Sequence, residues 1–349
     1  MKRPGNIHGI NLNNYDAAPG ITFGTGKGEP AMTVTKNRQT NDTILRMAKA
    51  AFPDRRVSDI KELDDGFCNV TYDISFDDGS ESILKIAAAG RNGNTSNEIN
   101  LMKAEVEAMK LVRDRGAARV AEVQYYDTTR EICSGDYFFM EKIQGRNLSL
   151  EKARLPESTV EQINREIGEI SRRLTGITNR EFGFLGDERR YRSLYDFTRV
   201  MLTNLLHDAE RKDVDIVYGA EDFLNRLEKD KPAFDGIMPA TLVHWDMWEG
   251  NVFVRDGHVS GIIDWERAMW GEAFMDDRFR FHSRNKSFLE GFGQAGFTGD
   301  EVRRIRWYDI ILYLTMMIEV YYREYETEDQ YFWAKDKLMA VWPEDDASF

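Results

Sequence analysis

Residues Thr241 to Asp277 read TLVHWDMWEGNVFVRDGHVSGIIDWERAMWGEAFMDD. Asn251-Val-Phe-Val alternates, Arg255-Asp256-Gly257 turns, and His258 to Ile263 alternates again. Asp-Gly between two alternating runs is a hairpin signal, because both central positions need positive φ. Folding about Asp256-Gly257 sets residue 251 opposite roughly 262. Asn251 and Asp264 then meet at the open end of the ribbon, and Asp246 precedes its first strand. One carboxylate is free to accept a proton, while an amide and a second carboxylate offer hard oxygen ligands. Such a set suits phosphoryl transfer from a magnesium nucleotide to a hydroxyl. Alone, a pattern as short as His244-x-Asp246-x-x-x-x-Asn251 says little, and an Asp before Trp265 could as well cap a helix. The hairpin that joins them carries the reading. His244 reads as a scaffold residue; the other histidines make no ligand-spaced cluster, so no zinc site is expected.

Upstream, Asp65-Gly66-Phe67-Cys68-Asn69-Val70-Thr71-Tyr72-Asp73-Ile74 and Glu81 to Ala87 read as strands joined by the turn Asp77-Asp78-Gly79. Lys85 interrupts the apolar run Ile83-Leu84-Lys85-Ile86, so it either snorkels from an edge or points at an anion. Glu98 to Arg115 has helical spacing, and Glu105 falls on or beside its apolar stripe, where a carboxylate wants a partner. Lys85 is the expected partner, with Glu98 and Glu107 as competitors. A strand lysine tethered by a helix glutamate is how a kinase holds donor phosphates. Two more strands, Glu122 to Tyr126 and Tyr137 to Ile143, precede a shift to helical composition. The connector Glu141 to Gly145, with Glu141 and Ile143, is the expected hinge for a purine edge.

These shifts predict a mobile tail over 1–40, a nucleotide-binding lobe over 41–143 and a catalytic, substrate-binding lobe over 144–349. Asn41 or Asp42 is read as the cap of a first helix with Ile44, Leu45, Ala48, Ala51 and Phe52 on one side. Ser158-x-x-Glu161 is read as a capping box. The long apolar stretch Glu301 to Tyr325 reads as a core helix. Gly24-Thr-Gly26-Lys27-Gly28 fails as a phosphate loop, because Gly28 stands where Ser or Thr is required and no strand precedes it.

The chain of 349 residues is long enough for two lobes, and 47 basic against 60 acidic residues leave it at −13. That balance disfavours nucleic acid and is compatible with a cationic substrate. Two cysteines, Cys68 and Cys133, give no disulfide framework. No run approaches a membrane span and the first residues lack a signal-peptide core, so the expected location is the cytoplasm.

Together these residues resemble the aminoglycoside phosphotransferase and choline kinase superfamily over about residues 60 to 340. Gly66, Asn69 and Thr71-Tyr72 match its nucleotide-covering turn, Lys85 its strand lysine and Glu105 its helix glutamate. His244-Trp-Asp246-Met-Trp-Glu-Gly-Asn251 matches its catalytic loop, and Asp264 in Ile263-Asp264-Trp265-Glu266 its second metal ligand. Asp277, in preference to Asp276, matches an aspartate that supports the catalytic loop. The resemblance implies an α+β, protein-kinase-like bilobal fold: a small antiparallel sheet with one key helix, and a larger helical lobe. It implies ATP- or GTP-dependent O-phosphorylation of a small molecule, with Mg²⁺ on Asn251 and Asp264 and Asp246 as base. Fructosamine, choline or a macrolide are alternative acceptors. A nucleotide-binding protein without catalysis is the other reading, which the intact Lys85, Asp246, Asn251 and Asp264 disfavour. The sequence departs from the family at Trp245, where a glycine is usual, and Trp248 is reminiscent of fructosamine-type kinases.

Overall fold

The computed structural model describes residues 37–63, 69–88 and 93–343. Gly66, Cys68 and the glycine-rich stretch 24–28 lie outside the described residues. Helix α1 (Asn41–Ala51) starts at Thr40, whose hydroxyl accepts from the Thr43 amide. The cap is therefore one residue ahead of the expected Asn41. Its buried side is Ile44, Met47 and Ala48, and Leu45 is exposed instead. Just before it, Gln39 donates its amide to Tyr72 Oη at 3.2 Å and Arg38 pairs with Glu62 at 2.7 Å. Residues 37–40 thus lie along the sheet.

The first sheet holds β1 (Val57–Leu63), β2 (Val70–Phe76), β3 (Glu81–Ile86), β4 (Val123–Asp127) and β5 (Tyr137–Met140), in the order β1-β2-β3-β5-β4 with every pairing antiparallel. Strand alternation sends Tyr72, Ile74, Leu84, Ile86 and Phe139 to one face, where they form a core with α1. Lys85 and Phe138, paired across β3 and β5, point to the other. There lies α2 (Leu101–Asp114), between β3 and β4 in the chain. Its buried residues Met102, Ala104, Val106, Ala108, Met109 and Val112 belong to the large core shared with the C-terminal half.

That half begins with β6 (Arg146–Asn147), α3 (Leu148–Glu151) and α4 (Glu157–Leu174). Pro156 is the N-cap of α4 with no side-chain bond, so the expected capping box at Ser158 does not form. Next come β7 (Thr178–Asn179), β8 (Gly183–Phe184), α5 (Leu194–Lys212) and α6 (Ala220–Asp230). Strands β9 (Ala240–Val243), β10 (Val252–Arg255), β11 (His258–Ile262) and β12 (Met269–Gly271) carry the opening stretch. They lie in two small sheets, β11-β10-β6 and β7-β9-β12-β8. Helices α7 (Lys286–Phe292), α8 (Gly299–Tyr322) and α9 (Asp329–Val341) close the chain. Thr298 and Glu301 form a reciprocal cap for α8. Apolar residues around most of its circumference make α8 the buried axis of this half, with Ile305, Trp307, Ile310, Leu314 and Ile318 inaccessible. The architecture is the expected α+β, protein-kinase-like one.

Candidate active site

The hairpin β10–β11 turns through Asp256 (φ 53°) and Gly257 (φ 80°), both in the left-handed region. A bulge between Phe253 and Val254 shifts the register by one, so Val252 faces Ile262. The Ile263 amide then donates to the Asn251 carbonyl at 3.0 Å. Asn251 and Asp264 therefore meet at the open end, as the spacing requires. Asp264 itself is left-handed (φ 65°), a conformation an aspartate tolerates better than most residues.

His244, fully buried, fixes the backbone at Asp246. Its Nε2 lies 2.9 Å from the Ile263 carbonyl, and its Nδ1 accepts the Asp246 amide at 3.2 Å. This pair of partners demands a neutral ring protonated on Nε2. Burial does the same, lowering its pKa to about 4. Asn251 Nδ2 donates to the Asp246 carbonyl at 2.8 Å and approaches its carboxylate at 3.3 Å, so the side-chain amide is oriented with Nδ2 toward Asp246. Burial raises the Asp246 carboxyl to about 7, against the pull of Arg267.

Across from the loop, Lys85 Nζ lies 2.7 Å from Glu105, 2.7 Å from Asp264 and 3.7 Å from Glu266. Glu105, not Glu98 or Glu107, is its helix partner. Burial opposes the ammonium, but Asp264, Glu105 and then Glu266 hold its pKa well above the ordinary value. Three carboxylates on one ammonium are a surplus of buried negative charge. Burial accordingly pushes Glu105 and Glu266 up to about 7, while Lys85 overrides burial at Asp264 and keeps it low. Oxygens of Glu105, Asp264 and Glu266 lie within 4.8 Å of one another, a cation-ready grouping among the described residues. That surplus of hard donors, with Asn251 Oδ1 nearby in the chain's fold, fits a divalent ion.

Asn69 Nδ2 donates to Glu266 Oε2 at 2.7 Å, tying the start of β2 to the residue two beyond Asp264. At the connector, Glu141 pairs with Arg119. Ile143 lies on Gly261, where a Cβ would fall 2.7 Å from its side chain. Asp277 Oδ1 lies 3.6 Å from His282 Nε2; burial opposes its charge, but His282 and the Arg278 and Arg280 guanidinium groups hold the carboxyl below the usual range.

Contacts to the segment His244 to Asn251 come from two residues the sequence reading missed. Arg278 Nε donates to the Met247 carbonyl at 2.7 Å, and the Arg280 guanidinium lies 4.6 Å over the Trp245 ring. Trp245 has φ 76°, where a glycine is the natural occupant. Burial of its ring under Arg280 compensates for a strain of order 1–3 kcal/mol. Glu266 and Arg267 were also missed. Their signal was present: charged side chains directly after Asp264-Trp265, between the apolar runs Ile262-Ile263 and Ala268-Met269-Trp270.

The sequence profile of the phosphotransferase enzyme family matches residues 59–306, which include Lys85, Glu105, Asp246, Asn251 and Asp264. The chain belongs to the phosphotransferase enzyme family. This phosphotransferase finds no match among curated proteins. Its fold is similar to solved structures of low identity. The aminoglycoside phosphotransferase APH(4)-Ia is 18% identical, with a TM-score of 0.60 over 86% of this chain and 98% of that one. APH(2")-IIia, solved with GDP and kanamycin, is 15% identical, with a TM-score of 0.59 over 85% and 97%. A candidate fructosamine-3-kinase of Thermobifida fusca is 14% identical, with a TM-score of 0.60 over 86% and 99%. Among the described residues of the phosphotransferase, no helix is long and apolar enough to cross a membrane.

Proposed function

We propose that this phosphotransferase moves the terminal phosphoryl group of ATP or GTP to a hydroxyl of a small molecule. The observation that carries the reading is the convergence of Asp246, Asn251 and Asp264 on one hairpin, with Lys85 held at Asp264 by 2.7 Å. Asp246 orients the acceptor hydroxyl and takes its proton. Burial suits it to that work, since a base near neutrality is the most effective at neutral pH. His244 and Asn251 hold the loop that presents it. Lys85, placed by Glu105, neutralises donor phosphates. Mg²⁺, held by Asn251 and Asp264, supplies charge neutralisation on the phosphates when bound. Most of the rate enhancement is then positioning and electrostatic stabilisation.

Residues 41–143 are taken as the nucleotide lobe and 144–349 as the catalytic one, with the backbone of Glu141 to Gly145 meeting the purine. Asn69, with Gly66 three residues before it in the sequence, is taken to cover the phosphates. Asp277 is taken to support the loop through Arg278, whose charge favours its carboxylate and whose Nε holds the Met247 carbonyl. Solved aminoglycoside phosphotransferases have been captured with ADP and hygromycin B and with GDP and kanamycin, which supports a nucleotide donor and a hydroxylated acceptor here. A nucleotide-fed reaction also supports a cytoplasmic location.

A ketoamine acceptor is the second reading. The Trp248 ring covers Gly250 so closely that a Cβ there would fall 2.1 Å from it. This places a flat aromatic surface two residues from the base, suited to a sugar ring. The test is magnesium-dependent ADP and GDP release against aminoglycosides, macrolides, choline, ketoamines and amino-alcohols, with Asp246→Asn as the blank. One compound that drives turnover above the blank supports the reading and names the class. Nucleotide binding with no turnover on any hydroxyl compound would contradict it.

A further inference from the structure

The segment leading into α2 is fastened to the C-terminal half, not to the sheet. Ser96 donates its amide and hydroxyl to Asp208 of α5 at 2.6 and 2.7 Å. Asn97 Nδ2 donates to the Met201 carbonyl at 3.0 Å, and Asn204 Nδ2 donates to Asn97 Oδ1 at 2.8 Å. Asn100 Nδ2 donates to the Gly186 carbonyl at 3.0 Å. Gly186 is pressed on this backbone, since a Cβ there would lie 2.1 Å from the Ile99 carbonyl oxygen.

At the centre is a buried four-membered ion cluster. Glu98 accepts from Arg267 at 3.0 Å and from Arg323; Arg267 also donates to Glu319 at 2.7 Å. Glu98, Glu319 and Arg323 are each less than a tenth exposed. Two acids and two guanidinium groups balance, so loss of one charge leaves the others uncompensated in the interior.

The positions in sequence give the cluster its meaning. Arg267 follows Asp264 by three residues, and Glu98 precedes Glu105 by seven on the approach to α2. Helix α2 packs directly on the 3-10 turn Trp265–Arg267 and shares the core of the C-terminal half, which also takes in Phe138 from the near face of the sheet; the far face of the sheet and α1 hold a core of their own.

We propose that Glu98 and Arg267 are positioning residues for phosphoryl transfer: their buried ion pair makes α2 part of the catalytic half, so that Glu105 and Asp264 form one fixed jaw and the sheet alone carries Lys85 to it. This rests on the reading of Lys85 as the phosphate-holding lysine. The approach to α2 holds the helix in its productive place whether or not nucleotide is bound. Lys85–Glu105 and Asn69–Glu266 are then the contacts that close and open in turnover.

Two measurements test this on the full chain. The first is hydrogen exchange of the nucleotide-free protein across a denaturant series. Peptides of α2 are expected to open together with those of α8, and those of β2 and β3 separately. Glu98→Gln should speed exchange in α2 by about tenfold or more, with β2 and β3 unchanged. Exchange of α2 in step with β2 and β3 in the unsubstituted protein would overturn the proposal. The second joins Asn97→Cys to Asn204→Cys by a disulfide or a short bifunctional thiol reagent. Turnover of magnesium nucleotide with the acceptor found by the panel should be unaffected by this link. In the Glu98→Gln background kcat should fall by about tenfold or more and be restored by the link. Inhibition of the linked parent that reductant reverses, or no rescue of Glu98→Gln, would overturn the proposal. Should Glu98→Gln not fold, the linked parent alone decides. Absence of nucleotide turnover in the parent would count against the reading of Lys85 and leave the exchange result standing.

Discussion

Replacing His244 by glutamine should make the protein less stable at neutral pH and no less stable than the parent in acid. The ring is inaccessible, bonded at both nitrogens, and its pKa is lowered from 6.5 to about 4 by burial. Between those values the unfolded chain binds a proton that the folded chain refuses, so stability falls as pH falls. From pH 7.5 to pH 4.5 this one group removes about 2.5 kcal/mol of folding stability, since each pH unit between the two pKa values is worth about 1.4 kcal/mol. Glutamine keeps a donor for the Ile263 carbonyl but leaves the Asp246 amide without its acceptor, a loss of about 1–3 kcal/mol at any pH. Urea unfolding followed by tryptophan fluorescence, at pH 7.5 and pH 4.5, should give a deficit of about 2 kcal/mol at the higher pH. At the lower pH that deficit should close or reverse. Groups other than His244 titrate alike in both proteins and cancel in the difference. An unchanged deficit would refute a neutral buried His244, and a larger one in acid would mean that the ring is charged and paired.

Asp246→Asn should lower kcat by about 10²–10⁴ and leave nucleotide affinity within about threefold, read by turnover and by titration with a fluorescent nucleotide diphosphate. Lys85→Met leaves Glu105, Asp264 and Glu266 without their ammonium and should cost about 3–5 kcal/mol in urea unfolding at pH 7. Gly250→Ala must displace the Trp248 ring, 2.1 Å from the new Cβ, and should cost about 1–3 kcal/mol while changing the near-ultraviolet signal of the loop. Trp245→Ala removes a buried ring worth about 3–5 kcal/mol but leaves a smaller side chain in the same left-handed backbone, so Trp245→Gly should recover about 1 kcal/mol relative to it.

The hairpin stretch was legible because its chemistry is local. Asp256-Gly257 fixes the turn, the turn fixes the register to within one residue, and the register brings Asn251 to Asp264. Only the bulge was unreadable: Ser260 of β11 is the extra residue, opposite the step from Phe253 to Val254, and nothing in His-Val-Ser-Gly-Ile marks it. Lys85 and Glu105 were legible for a similar reason: each is a charge inside an apolar pattern, and each needed the other. Edge strand β1 was missed because its sequence, VSDIKEL, alternates weakly and leaves three of seven positions exposed. Glu98 was read as helix and as a competitor for Lys85. It lies ahead of α2, and its partners Arg267 and Arg323 are 169 and 225 residues away, a distance no local pattern encodes. Arg278 and Arg280 were invisible in the same way: an arginine inside Asp277-Arg278-Phe279-Arg280 does not announce that it bonds Met247 or covers Trp245.

The central claim is that Asp246 drives transfer of a nucleotide phosphate onto a hydroxyl. A ³¹P spectrum tests it most directly, taken on the protein with magnesium ATP or GTP and the compound that the acceptor panel selects. The prediction is a phosphomonoester resonance that grows in step with nucleoside diphosphate and is absent with Asp246→Asn. Inorganic phosphate in place of the ester, or equal ester from Asp246→Asn, would contradict it.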